Sequence, residues 1–493
     1  MNVEKGVRVG DPQQTGGVPS PPHSLSRRTL LVRGSALGGT LISATTLGSV
    51  LSACGSSSGG STTSMAMPSH GGLLKAGISA EPDSLDPAKA TLTVSTEVLD
   101  LVYNKLVNID EKGKFVPELA SKWHVEEERI WVFDLKEGVS FHDGEPLTPE
   151  DVKFTFERIL DPKTASKYIA SFGEVESIDV TGPAQVTFTL KKPFAPFLIG
   201  HANYGYIANQ RSTEMVNAAR NPVGTGPFKF VQWEQGNKIS VQRNEQYFDR
   251  KLPYVNNLEM LVRPTDPSNI EAVRSGELNY LDSLPAQSIA TVETDPTFNY
   301  VTTNTGGVVQ FLSFNLADPV IKNRALRLAM TWAIDRQEIL DVAFFGGGEI
   351  GSEEVPKGSQ WYDGEDPYAG GPDLTKAKKY IEESGLETPI TVEYLAWSSQ
   401  PYPARIGEVI REQLKEIGVD FKITQLDQTT WLNRVLGGEF QATLIFNDRT
   451  VDPDDLFSQV FISNGAVNVL NYKDPRFDRL AAEARSTLDI SRR

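Results

Sequence analysis

Apolar and polar residues alternate along Trp131-Val132-Phe133-Asp134-Leu135, with Trp131, Phe133 and Leu135 on one face, and again along Gln185-Val186-Thr187-Phe188-Thr189-Leu190. A period of two predicts half-buried strands. Between them, Thr148-Pro149-Glu150-Asp151-Val152 predicts a helix start. Thr148 suits the cap, Pro149 the first helical position, and Asp151 a capping-box-like exchange. Val152, Phe156, Ile159 and Leu160 then continue as one helical stripe. Residues 113–222 therefore read as a small α+β unit.

The pattern changes further on. Ile390-Thr391-Val392-Glu393-Tyr394-Leu395 predicts a strand. Residues 403–417 predict a helix with Ile406, Val409, Ile410, Leu414 and Ile417 inward, stopped by Gly418. Val419-Asp420-Phe421-Lys422-Ile423 predicts the next strand. Strand, helix and strand at this spacing indicate a parallel, right-handed βαβ unit. A helix pair spans 323–344, and Asp335 followed by Glu338 predicts a capping box between its members. The absence of a short-period repeat argues against solenoids and propellers. Order is expected from about Leu73 onward.

The N-terminal region has no such periodicity. Arg27 and Arg28 precede an uncharged segment, 34–53, rich in Gly, Ser and Thr. Paired arginines before such a run read as an export signal of the twin-arginine type. The run is too polar for a comfortable permanent span, which needs about 20 strongly apolar residues. Leu51-Ser52-Ala53-Cys54 resembles a lipobox, and Cys54 is the single cysteine of the 493-residue chain. A lipid on Cys54 would anchor the protein to the outer face of the cell membrane. An uncleaved signal anchor with an incidental Cys54 is the alternative. The Gly/Ser/Thr-rich stretch 55–64 then serves as a flexible tether.

Charge and composition narrow the chemistry. The formal net charge is −16, and the first 53 residues carry a net +3, leaving −19 for 54–493. That acidity argues against a nucleic-acid partner, which needs a basic stripe. The acidic residues are scattered, which reads as solvated surface rather than as a cation site. With Cys54 lipidated no disulfide forms, so the fold rests on hydrophobic burial across a length ample for two or three domains. No Gly-x-Ser-x-Gly elbow and no Gly-Lys-Ser/Thr phosphate loop is evident. His70, His124, His142 and His201 show no metal-ligand spacing. No enzyme, metal or cofactor is expected; Glu353-Glu354 as glycosidase carboxylates is weighed against a solvated face.

Taken in order, several segments resemble the extracytoplasmic solute-binding proteins of ABC importers, in the peptide, oligopeptide and nickel-binding branch known as family 5. They are Ser84-Leu85-Asp86-Pro87, the segment Val102 to Val107, the run Phe141 to Val152, Gly224-Thr225-Gly226-Pro227-Phe228, and Phe314-Asn315 with Arg324 to Arg336. The resemblance implies an α/β, two-lobed periplasmic-binding-protein-like fold of type II, with an extra α+β domain inserted in lobe 1. It implies this division: 1–53 signal peptide, 54–72 tether, 73–112 and 223–305 lobe 1, 113–222 inserted domain, 306–493 lobe 2. Members of the family continue for several dozen residues more, so the C-terminal return through lobe 2 is expected to be truncated. The implied function is capture of a solute, a short peptide first, and its delivery by a monomer to an ABC permease. Oligosaccharide or other polar-solute binding, and a surface receptor or chaperone without transport, are the rival readings.

The resemblance also suggests site residues. In the peptide-binding branch a lobe-2 aspartate before an Asp-Pro step pairs with the ligand's α-amino group. The matching stretch here is Phe446-Asn447-Asp448-Arg449-Thr450-Val451-Asp452-Pro453, one residue longer than the pattern. Asp448 is that carboxylate, or Arg449 replaces it and favours a carboxylate or hydroxyl-rich ligand; alternatively Asp448 and Asp452 only cap turns. Thr91 and Thr93 lie in a loop resembling the family's backbone-contact loop, where strand-like main-chain bonds hold extended peptides. Trp397, at the end of a strand, and Trp431 are read as stacking surfaces or as core. Gly306 and Gly307 read as a close-approach point or a plain turn. Gly224 and Gly226 read as structural.

Overall fold

The computed structural model describes residues 70–215, 217–302, 308–447, 451–465 and 467–493. Three principal sheets organise them. The first has the order Tyr280–Leu281, Leu73–Ile78, Asn257–Val262, Lys238–Arg243, Phe228–Glu234. Leu73–Ile78 runs parallel to both of its neighbours, and the other pairings are antiparallel. The second has the order Val309–Phe314, Ala442–Asn447, Ile390–Trp397, Val419–Leu426; its last three strands are parallel and the first is antiparallel. The third, Ala120–Glu126, Ile130–Leu135, Gln185–Leu190, Val175–Gly182, is wholly antiparallel.

Each sheet has its own core. Leu395, Val392, Leu414 and Phe421 anchor the core of the second sheet. Phe133, Phe156 and Phe188 anchor that of the third, and Leu85, Val98 and Ile239 that of the first. The core of the third sheet also takes in Ala88, Leu106 and Val107, which precede residue 113 in the chain.

The periodic segments fold as their patterns dictate. Pro149–Leu160 is a helix, with the Thr148 amide and hydroxyl donating to Asp151 Oδ2 at 3.0 and 2.7 Å. Val152, Phe156 and Ile159 are buried, while Leu160 is only half-buried. Tyr402–Lys415 is a helix between the parallel strands Ile390–Trp397 and Val419–Leu426, and all five inward residues of the predicted stripe are buried. Gly418, at φ +77°, ends the unit in the left-handed conformation that a side chain would strain. The helix pair is Arg324–Ala333 and Arg336–Phe344.

The capping box predicted at Asp335 is corrected. The Asp335 side chain does accept from the amides of Gln337 and Glu338, at 2.9 and 3.2 Å. Glu338 does not complete the exchange, because Gln413 of the 402–415 helix lies between. Its side-chain carbonyl accepts from the Asp335 amide at 3.1 Å, and its amide nitrogen donates to Glu338 Oε2 at 2.7 Å. A tertiary partner outcompeted the local one.

The motifs scattered along the first half of the chain converge on one buried polar lattice. The Asn104 side chain donates to Glu118 Oε1 at 2.5 Å and accepts from the Thr225 hydroxyl at 3.0 Å. The Gly226 amide donates to the Val102 carbonyl at 2.8 Å, and Asn244 donates to the Gly226 carbonyl at 3.0 Å. His142 donates through Nε2 to the same carbonyl at 3.0 Å, while its Nδ1 faces the Gly224 amide at 3.4 Å. Those partners fix a neutral tautomer, and burial pushes the imidazole pKa down to about 4. A Cβ on Gly226 would lie 2.5 Å from the Leu101 carbonyl, and one on Gly224 would collide with that of Val102. Both glycines are thus there to let two main chains touch.

Candidate functional site

In open α/β sheets, ligands bind outside the carboxyl ends of the parallel strands. In the first sheet that edge is formed by Ile78, Val262 and Leu281. The residue after the first strand, Ser79, donates its amide and hydroxyl to Asp282 Oδ2 at 2.8 and 2.9 Å. Burial pushes the Asp282 carboxyl up, and the Ser79 hydrogen bonds only partly offset this. Glu97, on the Thr93–Val102 helix, is pushed well above the carboxylate range by burial and by the neighbouring Asp282 and Asp100. Burial, Glu97 and Asp282 raise the Tyr280 phenol too. These shifts favour the protonated forms of the carboxyls at this edge, and a cationic group placed beside them would favour the carboxylates.

The loop from this edge to the Thr93–Val102 helix is organised by Asp83. Its Oδ2 accepts from the amide and hydroxyl of Thr91 at 3.0 and 2.6 Å, and its Oδ1 from the Ser95 hydroxyl at 2.6 Å. Burial raises the Asp83 carboxyl, but the bonds from Ser95, Thr91 and Leu92 outweigh it and hold the group below its ordinary value. Thr91 is exposed; Thr93 is half-buried as the first helical residue.

In the second sheet the corresponding edge ends in Trp397, Leu426 and Asn447, with Val309 paired to Asn447. Trp397 and Trp431 pack on each other with ring centroids 4.7 Å apart and are only 4% and 6% exposed. Trp431 Nε1 donates to Thr443 Oγ1 at 2.9 Å, and that hydroxyl passes a bond to the Leu395 carbonyl at 2.9 Å. Core packing accounts for both rings, and a stacking role is confined to the sliver of ring left at the surface. Asp452 caps a turn, accepting from the Asp454 amide at 2.9 Å, and pairs with Arg493 at 2.6 and 2.7 Å.

Asn447 closes its strand, and only its main-chain pairing is described. Asp448, Arg449, Gly306 and Gly307 lie outside the described residues, as do Cys54, Arg27 and Arg28. Asn447 and Val309 pair with each other at one corner of the second sheet. Reading the sequence missed Ser79, Glu97 and Asp282. The only signal was position after a strand, and the pairing of Ala76 with Tyr280 that unites them is not local. Among the described residues there is no group of three or more His, Cys, Asp or Glu side chains placed to hold a metal, and no helix long and apolar enough to cross a membrane.

The mixed α/β lobes with crevice-edge loops define the two-lobed periplasmic-binding-protein class. Residues 114–468 match the model of the bacterial extracellular solute-binding proteins, family 5, and the chain belongs to that family. It is 26% identical to the oligopeptide-binding protein OppA of Bacillus subtilis over 484 residues, covering 90% of this chain and 88% of the relative. Among solved structures, the ABC transporter substrate-binding protein CtaP of Listeria monocytogenes matches with a TM-score of 0.77 and 26% identity, over 86% of this chain and 88% of that one. DppA of Helicobacter pylori, in complex with the peptide STSA, matches with a TM-score of 0.72 and 25% identity, over 86% and 88%.

Proposed function

We propose that this chain captures a short peptide between its lobes and hands it to the permease of an ABC importer, without catalysing a reaction. Membership of family 5 carries the reading, since relatives named for oligopeptide and dipeptide binding match along most of the chain. Two features support it. The Asp83-braced loop at Thr91 and Thr93 offers ordered main chain, which engages extended peptides irrespective of their sequence. The buried carboxyls of Asp282 and Glu97, held toward their neutral forms by burial, would gain a charge partner from a cationic group such as a peptide's α-amino group. Asp448 is the lobe-2 counter-charge for that amine in this reading, with Asn447, Arg449 and Gly307 as further candidate contacts.

The proposed working unit is a monomer on the outer face of the cell membrane, exported through the Arg27-Arg28 signal and held by a lipid on Cys54. Lobe 1 comprises 73–112 and 223–305, the inserted domain 113–222, and lobe 2 the residues from 306. Closure on the ligand would give the permease a shape distinct from the empty protein. The test is a thermal-shift screen of the chain lacking residues 1–53 against di- to pentapeptides, oligosaccharides and nickel chelates. A ligand that binds only the folded protein raises its melting temperature. Peptides are expected to do so; a shift with sugars alone would replace the peptide reading.

A further inference from the structure

The 83–92 loop is held from outside as well as from within, and the side chains that hydrogen-bond residues 86–90 from outside belong to the unit built on the third sheet. Arg158, on the Pro149–Leu160 helix, donates two bonds to the Asp86 carboxylate at 2.8 and 2.6 Å, with Asp86 almost fully buried. Asp86 in turn fixes the loop's main chain. Its carbonyl accepts from the amides of Lys89 and Ala90 at 3.0 and 2.9 Å, and its Oδ1 from that of Ala88 at 3.1 Å. The Tyr168 hydroxyl donates to the Ala90 carbonyl, and its ring stacks on Tyr204 with centroids 4.3 Å apart, which fixes its direction. Ala88 is packed into the core of the third sheet, whereas Leu85 and Ala90 belong to that of the first. The loop is therefore a seam between two cores, and Thr91 near its end is exposed, with its amide and hydroxyl held by Asp83.

We propose that the small antiparallel unit is the positioning element of the ligand loop: Tyr168 and Arg158 hold residues 86–90 from behind, so that 91–93 meet the ligand in one conformation. This rests on the reading that Thr91 and Thr93 present main chain to the ligand. The physical benefit is preorganisation, because a loop fixed beforehand does not have to be frozen by the ligand. Tyr168 and Arg158 are positioning residues and need not touch the ligand. The unit thereby acquires a role in affinity through residues that need not touch the ligand.

The test uses Tyr168→Phe, which removes one hydroxyl and keeps the stacked ring, with Arg158→Lys as a second variant that keeps the charge but not the two-pronged geometry. Both are made in the chain lacking residues 1–53. Hydrogen exchange of the amides of 88–95 is followed without ligand and with trialanine, alongside trialanine affinity and the melting temperature. The expected result is faster exchange at 90–93 in the free variants and trialanine binding weaker by about 5- to 30-fold. That is the range set by re-freezing the main chain of one residue. The melting temperature of Tyr168→Phe should fall by no more than about 4 °C, the effect of one lost buried hydrogen bond. Exchange at 90–93 identical to the parent's in both variants would overturn the positioning role. Faster exchange in the variants, while trialanine binds the parent without protecting 90–93, would instead sink the reading that this loop meets the ligand.

Discussion

His201 is the position where one substitution separates packing from electrostatics. It is fully buried on the Phe197–Tyr204 helix, ringed by Phe133, Phe156, Phe172, Phe188 and Phe197 at centroid distances of 4.3 to 5.3 Å. Its Nδ1 donates to the Phe197 carbonyl at 2.9 Å, and its Nε2 has no hydrogen-bond partner among the described residues. Burial pushes its pKa down to about 3, the bond to Phe197 offsetting this only in part. Unfolded imidazole titrates near 6.5. The unfolded chain therefore takes up the proton first, and stability falls as pH drops from about 6.5 towards the folded value. At pH 5 the loss relative to pH 8 is about 2 kcal/mol from this residue alone. Glu97 and Asp282, whose carboxyls are raised, act in the opposite sense as pH falls. The parent's acid profile alone is therefore ambiguous, and the difference between parent and His201→Phe isolates the imidazole. The assay is urea unfolding at pH 8, 6.5 and 5. At pH 8 the variant should lie within about 1.5 kcal/mol of the parent, since an aromatic ring replaces another of similar size. Between pH 8 and pH 5 it should lose about 2 kcal/mol less than the parent. Parallel pH profiles would refute the assignment of His201 as a buried neutral base.

Other substitutions test other parts of the account. Gly226→Ala should cost about 1–3 kcal/mol or more, because its Cβ meets main chain at 2.5 Å; a melting temperature equal to the parent's would contradict the backbone-contact role. Arg158→Met should destabilise by about 3–5 kcal/mol, since it leaves the buried Asp86 carboxylate without its counter-charge; a loss below about 1 kcal/mol in chemical unfolding would show the pair to be dispensable. Trp431→Phe should cost about 1–2 kcal/mol through the lost bond to Thr443 and leave ligand affinity within about twofold. A tenfold weaker affinity at unchanged stability would restore the stacking role.

The parts of the fold that were legible in the sequence are those decided within a few residues. The 131–135 and 185–190 strands, the Thr148–Asp151 cap and the inward stripe of the 402–415 helix follow from periods of two and 3.6 and from capping chemistry. The failures have one cause, which is distance along the chain. Gln413 displaced Glu338 from the Asp335 cap because two helices pack together. Glu97 and Asp282 meet only through the parallel pairing of Leu73–Ile78 with Tyr280–Leu281. Trp397 and Trp431 read as ligand platforms or as core until the packing of the 428–436 helix placed one ring against the other. The family motifs carry another lesson. Asn104, His142, Thr225 and Gly226 stand out in the sequence yet serve the interior, whereas the groups at the crevice edge have no local signature.

The most direct test of peptide capture is calorimetric titration of the chain lacking residues 1–53 with trialanine and with N-acetyl-trialanine, repeated on Asp448→Ala. The account predicts that trialanine binds, that acetylation of its amine weakens binding by at least about tenfold, as loss of a charged hydrogen bond should, and that Asp448→Ala binds both forms equally weakly. Equal affinity of the parent for the free and the acetylated peptide, or no binding of either by a cooperatively folded parent, would contradict it.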